Sequence, residues 1–438
     1  MTNLKSKVCA AIDANTEQII EFGRQCMNTP ELGYAEHQTS AAVREKLLAA
    51  GVRDISTTAI TGQKGWIYGK STSTGTYPSV MVLGELDAVI SPLHPQANPQ
   101  TGAAHSCGHG AQLAALVGTA MGISAISHEL DGNVCFAAAP AEEYVQIEER
   151  QKLRATGKIA WLGGKQQMIA EGAFDDVDIA IMTHASTGAS ESTTPHIVTG
   201  GTSLGFVGKE IRFTGREAHA AVAPWQGVNA LNAATLAIQA IHALRETFQE
   251  KDHIRVHPII TKGGDIVNTV PADVRMECFV RAATTEAMQR VNAQVNRAIR
   301  GCASALGAEV TINDLPGYYP LQQNAEIGRL FAGNALAADP TALVQDGIPF
   351  GGSTDMGDVT WLLPSIQPSV NGFAGTLHGS DFHVADEYLA FVLPAKIMAM
   401  TVVDLLENGA AVAQEIIKKS PRRTKEEFAQ FWGEIIAI

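Results

Sequence analysis

Apolar residues recur at helical spacing from Thr16 to Met27 and again from Thr39 to Ala50, where Gly51 supplies a stop signal. Three later runs, Val80 to Leu83, Val134 to Ala139 and Val177 to Met182, are short, largely apolar and bounded by turn or charged residues. That pattern predicts strands covered on both faces. Helical stretches separate the three runs, so the expected fold class is α/β with a mainly parallel sheet.

The pattern changes near Thr199. Gly205 to Phe213 and Ile254 to Thr261 read as strands, with a long helical stretch from Gly227 to Phe248 between them. Asp273 to Arg281 reads as a further strand before a helix from Thr285 to Leu306, and Glu309 to Asn313 closes the series. A strand–helix–strand–strand–helix–strand order predicts a split, ferredoxin-like α+β sandwich. After Pro320 the α/β pattern resumes. The expectation is one α/β domain in two pieces, residues 1–198 and 319–438, interrupted by an inserted α+β domain at 199–318. The tail beyond Ser420 is charged and reads as a solvated surface helix.

Composition narrows the function without naming it. A chain of 438 residues is too long for one compact core, which agrees with two domains. The net charge of −13 is spread along the chain and argues against nucleic acid or an anionic membrane as the main partner. The first twenty residues lack an apolar core of signal-peptide length, and no run reads as membrane-spanning. The six cysteines have no disulfide-scaffold spacing and are expected to be reduced thiols in the cytoplasm.

The candidate chemistry lies where the strands end. In His105-Ser106-Cys107-Gly108-His109-Gly110, a thiol and an imidazole two residues apart can converge on one metal ion. Pro140-Ala141-Glu142-Glu143 follows the run Val134 to Ala139, and adjacent carboxylates at the end of a buried strand are costly unless a cation faces them. Val80 to Leu83 leads likewise to Glu85 and Asp87, and Val177 to Met182 leads to His184. Each signal is weak alone. Together they put ligating groups outside the carboxyl ends of three strands, where α/β sheets collect ligands.

These residues carry a family resemblance. Pro30-Glu31-Leu32-Gly33, Gly84-Glu85-Leu86-Asp87-Ala88, Cys107-Gly108-His109 and Pro140-Ala141-Glu142-Glu143 come first. They are followed by Thr183-His184, Gly215-Arg216-Glu217-Ala218-His219-Ala220, Asn268-Thr269-Val270-Pro271, Gly352-Ser353-Thr354-Asp355 and Leu377-His378. In content and order this set resembles the dinuclear-metal aminoacylase/carboxypeptidase family of metallopeptidases. Within it, the nearest branch contains aminobenzoyl-glutamate hydrolase and the hydrolases of auxin–amino acid conjugates such as indoleacetyl-aspartate.

The resemblance implies a catalytic domain with an inserted lid and dimerisation domain, two divalent metal ions per subunit (Mn or Zn), a small-molecule substrate and a homodimer. It implies that Cys107 bridges the metals, with His109, Glu143, His184 and His378 as the other ligands. Glu142 would be the general base that takes a proton from the attacking water, and Asp87 would orient a ligand. His219, from the inserted domain, would stabilise the oxyanion in the partner subunit's site. Asn268 would contact substrate, and Arg281 is a candidate for binding its carboxylate. His383 is a rival to His378.

Two features depart from the family pattern: Gly110 stands where a polar residue is usual, and Tyr144 to Asp176 is long. That segment is expected to cap the site, to supply a cation for a substrate carboxylate, or to be a solvated insertion. The implied reaction is hydrolysis of an N-acyl or N-aroyl amino acid. The same machinery would serve an arylamine aminohydrolase releasing ammonia from a compound such as a nitroanthranilate. A non-catalytic binding protein on this fold would be expected to have lost the base or the ligands, which are all present.

Overall fold

The computed structural model describes residues 2–70, 77–187 and 194–436. The three apolar runs are strands, Ser79–Glu85, Asn133–Ala139 and Ile179–Ile181, with every residue buried. They lie side by side in the order 133–139, 79–85, 179–181 and all run parallel. Ser365–Ile366 extends the parallel edge, while Gly62–Ile67 and Arg53–Thr58 add an antiparallel edge. The expected α/β class with a mainly parallel sheet is therefore what the chain forms.

Helix His109–Ser124 starts at the Cys-x-His loop and is buried along nearly its whole length, between Thr16–Met27 and Leu393–Leu406. The segment Tyr388–Leu406 is long and apolar enough to cross a bilayer, contrary to the expectation that no run qualifies. It is 94% buried inside the protein, as the central helix of a core.

By contacts the chain groups into two compact units. The first comprises Met1–Thr202, Gln322–Pro349 and Asp358–Glu427, and the second Ser203–Leu321, Phe350–Gly357 and Phe428–Ile438. The second unit contains the expected split sandwich. Strands Gly205–Thr214, Arg255–Lys262, Asp273–Ala282 and Glu309–Pro316 pair antiparallel in the order 255–262, 273–282, 205–214, 309–316, with helices Ala230–Ala243 and Thr285–Ala305 packed on the sheet. The first of these helices is shorter than the apolar pattern predicts. Asn229 caps its start, accepting from the Asn232 backbone N–H, and its end tightens into a 3₁₀ turn at Leu244–Thr247.

The tail is not a solvated helix. Helix Lys425–Ile436 buries Phe428, Trp432 and Ile435, spaced four and three residues apart, so one face is apolar although the composition is charged. The Phe431 ring meets that of Tyr319 edge-on at 5.3 Å.

A buried ion pair ties the sandwich together. Lys209, fully buried, sits opposite Asp314 on the neighbouring strand, with its Nζ 2.5 Å from Asp314 Oδ1. Asn292 and Asn296, from the helix above, donate to the other carboxylate oxygen, and Lys209 also donates to Asn296. Every charge is met, but removing one partner strands the other in a dry interior. Asp314→Ala is expected to destabilise the protein by about 3–5 kcal/mol, measured as an earlier unfolding transition in urea.

Candidate metal centre

The parallel strands bring their carboxyl ends to one edge of the sheet, and the candidate residues follow directly. Asp87 lies two residues beyond Ser79–Glu85, Glu142 and Glu143 lie just beyond Asn133–Ala139, and His184 lies three residues past Ile179–Ile181. The Cys-x-His loop leads into the start of helix His109–Ser124.

Gly108 turns that loop. Its φ of 85° is left-handed, and a Cβ there would stand 2.5 Å from the Ala185 Cβ, so only glycine fits between the two ligand candidates. The departure at Gly110 also has a packing cause. A Cβ at that position would lie 3.0 Å from the Met27 backbone N and Sδ, because helix Thr16–Met27 packs against it at close range.

The His109 and His184 imidazoles are each oriented by the rear nitrogen. His109 Nδ1 donates to the Asp87 carbonyl at 2.9 Å and lies 3.3 Å from Asp87 Oδ1, which turns Nε2 inward. His184 Nδ1 donates to the Ala185 carbonyl at 2.9 Å, leaving Nε2 3.6 Å from Cys107 Sγ. Asp87 Oδ2 also accepts the Glu143 backbone N–H, so one residue sets an imidazole through its carbonyl and a carboxylate-bearing loop through its side chain. His378, with φ 64°, is fixed through its backbone N–H to the Ser106 carbonyl, and its Nε2 lies 3.2 Å from Glu143 Oε1.

The donor atoms form two triads that share one sulfur: Cys107, His109 and His184, and Cys107, Glu143 and His378. Within each triad they lie within 4.8 Å of one another. His109 Nε2 and Glu143 Oε1 are buried with no hydrogen-bond partner among the described residues, although charged groups stand close by. Buried polar atoms left without partners are expensive, and an ion would satisfy them. One thiolate, three imidazoles and one carboxylate suit divalent metals of intermediate softness, so the residues present fit such ions.

The electrostatics point the same way. Burial and the Glu143 carboxylate push the Cys107 thiol up, but His184 and His109 outweigh them and bring it down to about 6. Its ligating thiolate form is thus the favoured one at neutral pH. Glu142 is buried, with Oε2 3.9 Å from His109 Nε2.

The structure gathers Asp87, Cys107, His109, Glu142, Glu143, His184 and His378 in the first unit. His383 is not among them, since it belongs to neither donor triad and its Nδ1 donates to the Asp381 carbonyl. His219, Asn268 and Arg281 lie in the second unit. His219 is exposed on a loop bridged to Thr269, next to Asn268, whose carbonyl accepts the Ala220 N–H. Arg281 lies over the Phe206 and Phe279 rings at 5.1 and 5.4 Å and donates to Ser353 Oγ.

The long segment 144–176 folds as helices Ile147–Ala155 and Gly164–Ala170. Its exposed charges include Glu148, Glu149, Lys152 and Arg154, but Arg150 and Lys165 are buried. Arg150 donates to the carbonyls of Ala141, Leu162 and Glu143, and so clamps the loop that carries the two glutamates. Lys165 pairs with Glu85. From the other side buried Glu36 accepts the Ala141 N–H and the Thr61 hydroxyl. Sequence reasoning gave Glu36 and Glu85 no role, and named Arg150 and Lys165 only among the charges of a segment expected to cap the site, supply a cation for a substrate carboxylate, or be a solvated insertion. Only the alternation of Glu85 and Asp87 at one strand end hinted that Glu85 lies near the site.

Residues 202–302 match the family description "Peptidase dimerisation domain". The Xaa-Arg dipeptidase of Mus musculus is 27% identical, with 93% of this chain and 90% of that protein covered. A p-aminobenzoyl-glutamate hydrolase subunit of Escherichia coli K12 is 28% identical, with 91% of each covered. The IAA-amino acid hydrolase ILR1-like 2 of Arabidopsis thaliana is 25% identical, with 90% and 86% covered. The solved Bacillus subtilis YXEP protein, described as a dinuclear metal binding peptidase of the M20 family, shares the fold at a TM-score of 0.65 and 21% identity, over 90% of this chain and 99% of that one. Motif order, fold and relatives agree in their likeness to the dinuclear-metal aminoacylase/carboxypeptidase family, and the chain is a metal-dependent hydrolase.

Proposed function

We propose that the protein hydrolyses the amide bond of an N-acyl or N-aroyl amino acid, releasing the acid and the free amino acid. The observation that carries this reading is the pair of donor triads sharing the Cys107 sulfur, with the Glu142 carboxylate beside them. Two divalent ions, manganese or zinc, held by Cys107, His109, His184, Glu143 and His378 would act as Lewis acids on the water and the scissile carbonyl.

The chain's own groups do the rest. Glu142 takes a proton from the attacking water and returns it to the leaving nitrogen. Asp87 fixes the His109 tautomer and the Glu143 loop, so that neither has to reorganise during the reaction. His219 is assigned to the oxyanion, in the partner subunit's site, and Asn268 and Arg281 to polar contacts with the substrate, Arg281 with its carboxylate. The dimerisation-domain match supports the homodimer that this requires. Six unpaired cysteines suit a reducing compartment such as the cytoplasm.

The named activities of the relatives define the assay. Manganese- or zinc-loaded protein is incubated with aroyl-glutamates, indoleacetyl-aspartate, simple N-acyl amino acids, dipeptides ending in arginine, and nitroanthranilates, and the products are read by mass spectrometry. Free amino acid from an aroyl or acyl conjugate is the expected result. Ammonia with a phenolic product would replace the amidohydrolase reading by an arylamine aminohydrolase and leave the metal centre standing.

A further inference from the structure

Lys165 and Glu85 form an ion pair whose two side chains are fully buried, 2.5 Å apart, at the edge of the metal centre. A buried pair of this kind is weak evidence for stability, because desolvation offsets most of the attraction. Its position is more informative. Glu85 Oε2 lies 3.2 Å from His109 Nε2, the nitrogen left for a metal once Nδ1 is engaged by Asp87. Glu85, His109 and Glu142 also place their donor atoms within 4.8 Å of one another, a third potential ligand set that shares His109 with the first triad.

An anionic carboxylate at that distance would be drawn onto an ion held by His109. Two donors restrain it: Lys165 holds Oε1, and Gln112, on the same helix as His109, holds Oε2 at 2.8 Å. Lys165 also supplies the compensating charge. The lysine comes from helix Gly164–Ala170, and Gly164 N–H donates to the Ala141 carbonyl, so its backbone is anchored to the loop that carries Glu142.

We propose that Lys165 is a positioning residue that keeps Glu85 from ligating the ion on His109, so that a coordination position there stays open beside Glu142. The inference rests on the metal-centre reading above. It assigns to the 144–176 segment a task in that centre that differs from binding a substrate carboxylate.

The test is metal binding by full-length apo protein, measured against a chromogenic chelator with Zn²⁺, alongside the visible spectrum of the Co²⁺ form. Lys165→Met removes the charge and keeps the length. It is expected to tighten one of the two sites by about tenfold or more and to weaken the Co²⁺ bands, as added coordination does. The double variant Glu85→Gln/Lys165→Met is expected to bind within about threefold of wild type, because Glu85 contributes no ligand there.

Unchanged or weaker binding by Lys165→Met overturns the proposal, and so does a loss of about tenfold or more in the double variant, which would make Glu85 a ligand in the native protein. If Lys165→Met does not fold without metal, the double variant decides alone, since it leaves no buried charge unpaired. A wild type that takes up no ions overturns the metal centre itself, so the two failures are distinct.

Discussion

Glu142→Gln is expected to lower turnover by about 10²–10⁴-fold while leaving the number of bound ions unchanged. The side chain is buried beside His109 but belongs to neither of the triads that share Cys107. Gln keeps the shape of the side chain and removes the group that accepts the proton. The loop should hold its course in the variant, because Glu36, Arg150 and Asp87 grip its backbone and not the Glu142 side chain. Metal analysis next to steady-state kinetics checks both halves. Retained activity would remove Glu142 from the mechanism, and lost metal with lost activity would make it a ligand.

Cys107→Ser should act on the other axis. Cys107 is the one residue common to both triads, so its loss disturbs both sites at once. A serine hydroxyl stays protonated where the thiol is held near 6 by His184 and His109, and so it offers neither the charge nor the soft donor. The expected result is less than one ion per subunit after dialysis under conditions where the wild type keeps two, with activity falling in proportion. Ion content equal to wild type would show that the thiol is structural.

The strands were legible because they are buried on both faces, which makes their sequences almost uniformly apolar and leaves little ambiguity of period. The metal-centre candidates were legible because parallel topology sends every strand's sequel to the same edge, so residues far apart in sequence share one structural position. Lys165 and Arg150 were not. Nothing local marks a lysine or arginine for burial, and their partners are Glu85, eighty residues away, and backbone carbonyls that no side-chain pattern reveals. The segment that carries them accordingly stayed open between a cap, a cation source and a solvated insertion. The C-terminal helix was misread for a related reason, since charge dominates its composition while its apolar residues fall on one face. Gly110 has no signature at all, because its cause is the end of a helix more than eighty residues earlier.

The second unit draws on three stretches of chain, the last of them Phe428–Ile438. Its four strands are all made by Pro316, yet Phe431, which meets Tyr319, follows about a hundred residues later. At synthesis rates of about 5–20 residues per second, the sandwich waits roughly 5–20 s on the ribosome before helix Lys425–Ile436 exists. During that interval it is a nascent domain with part of its apolar surface uncovered, open to chaperones and to aggregation until helix Lys425–Ile436 follows.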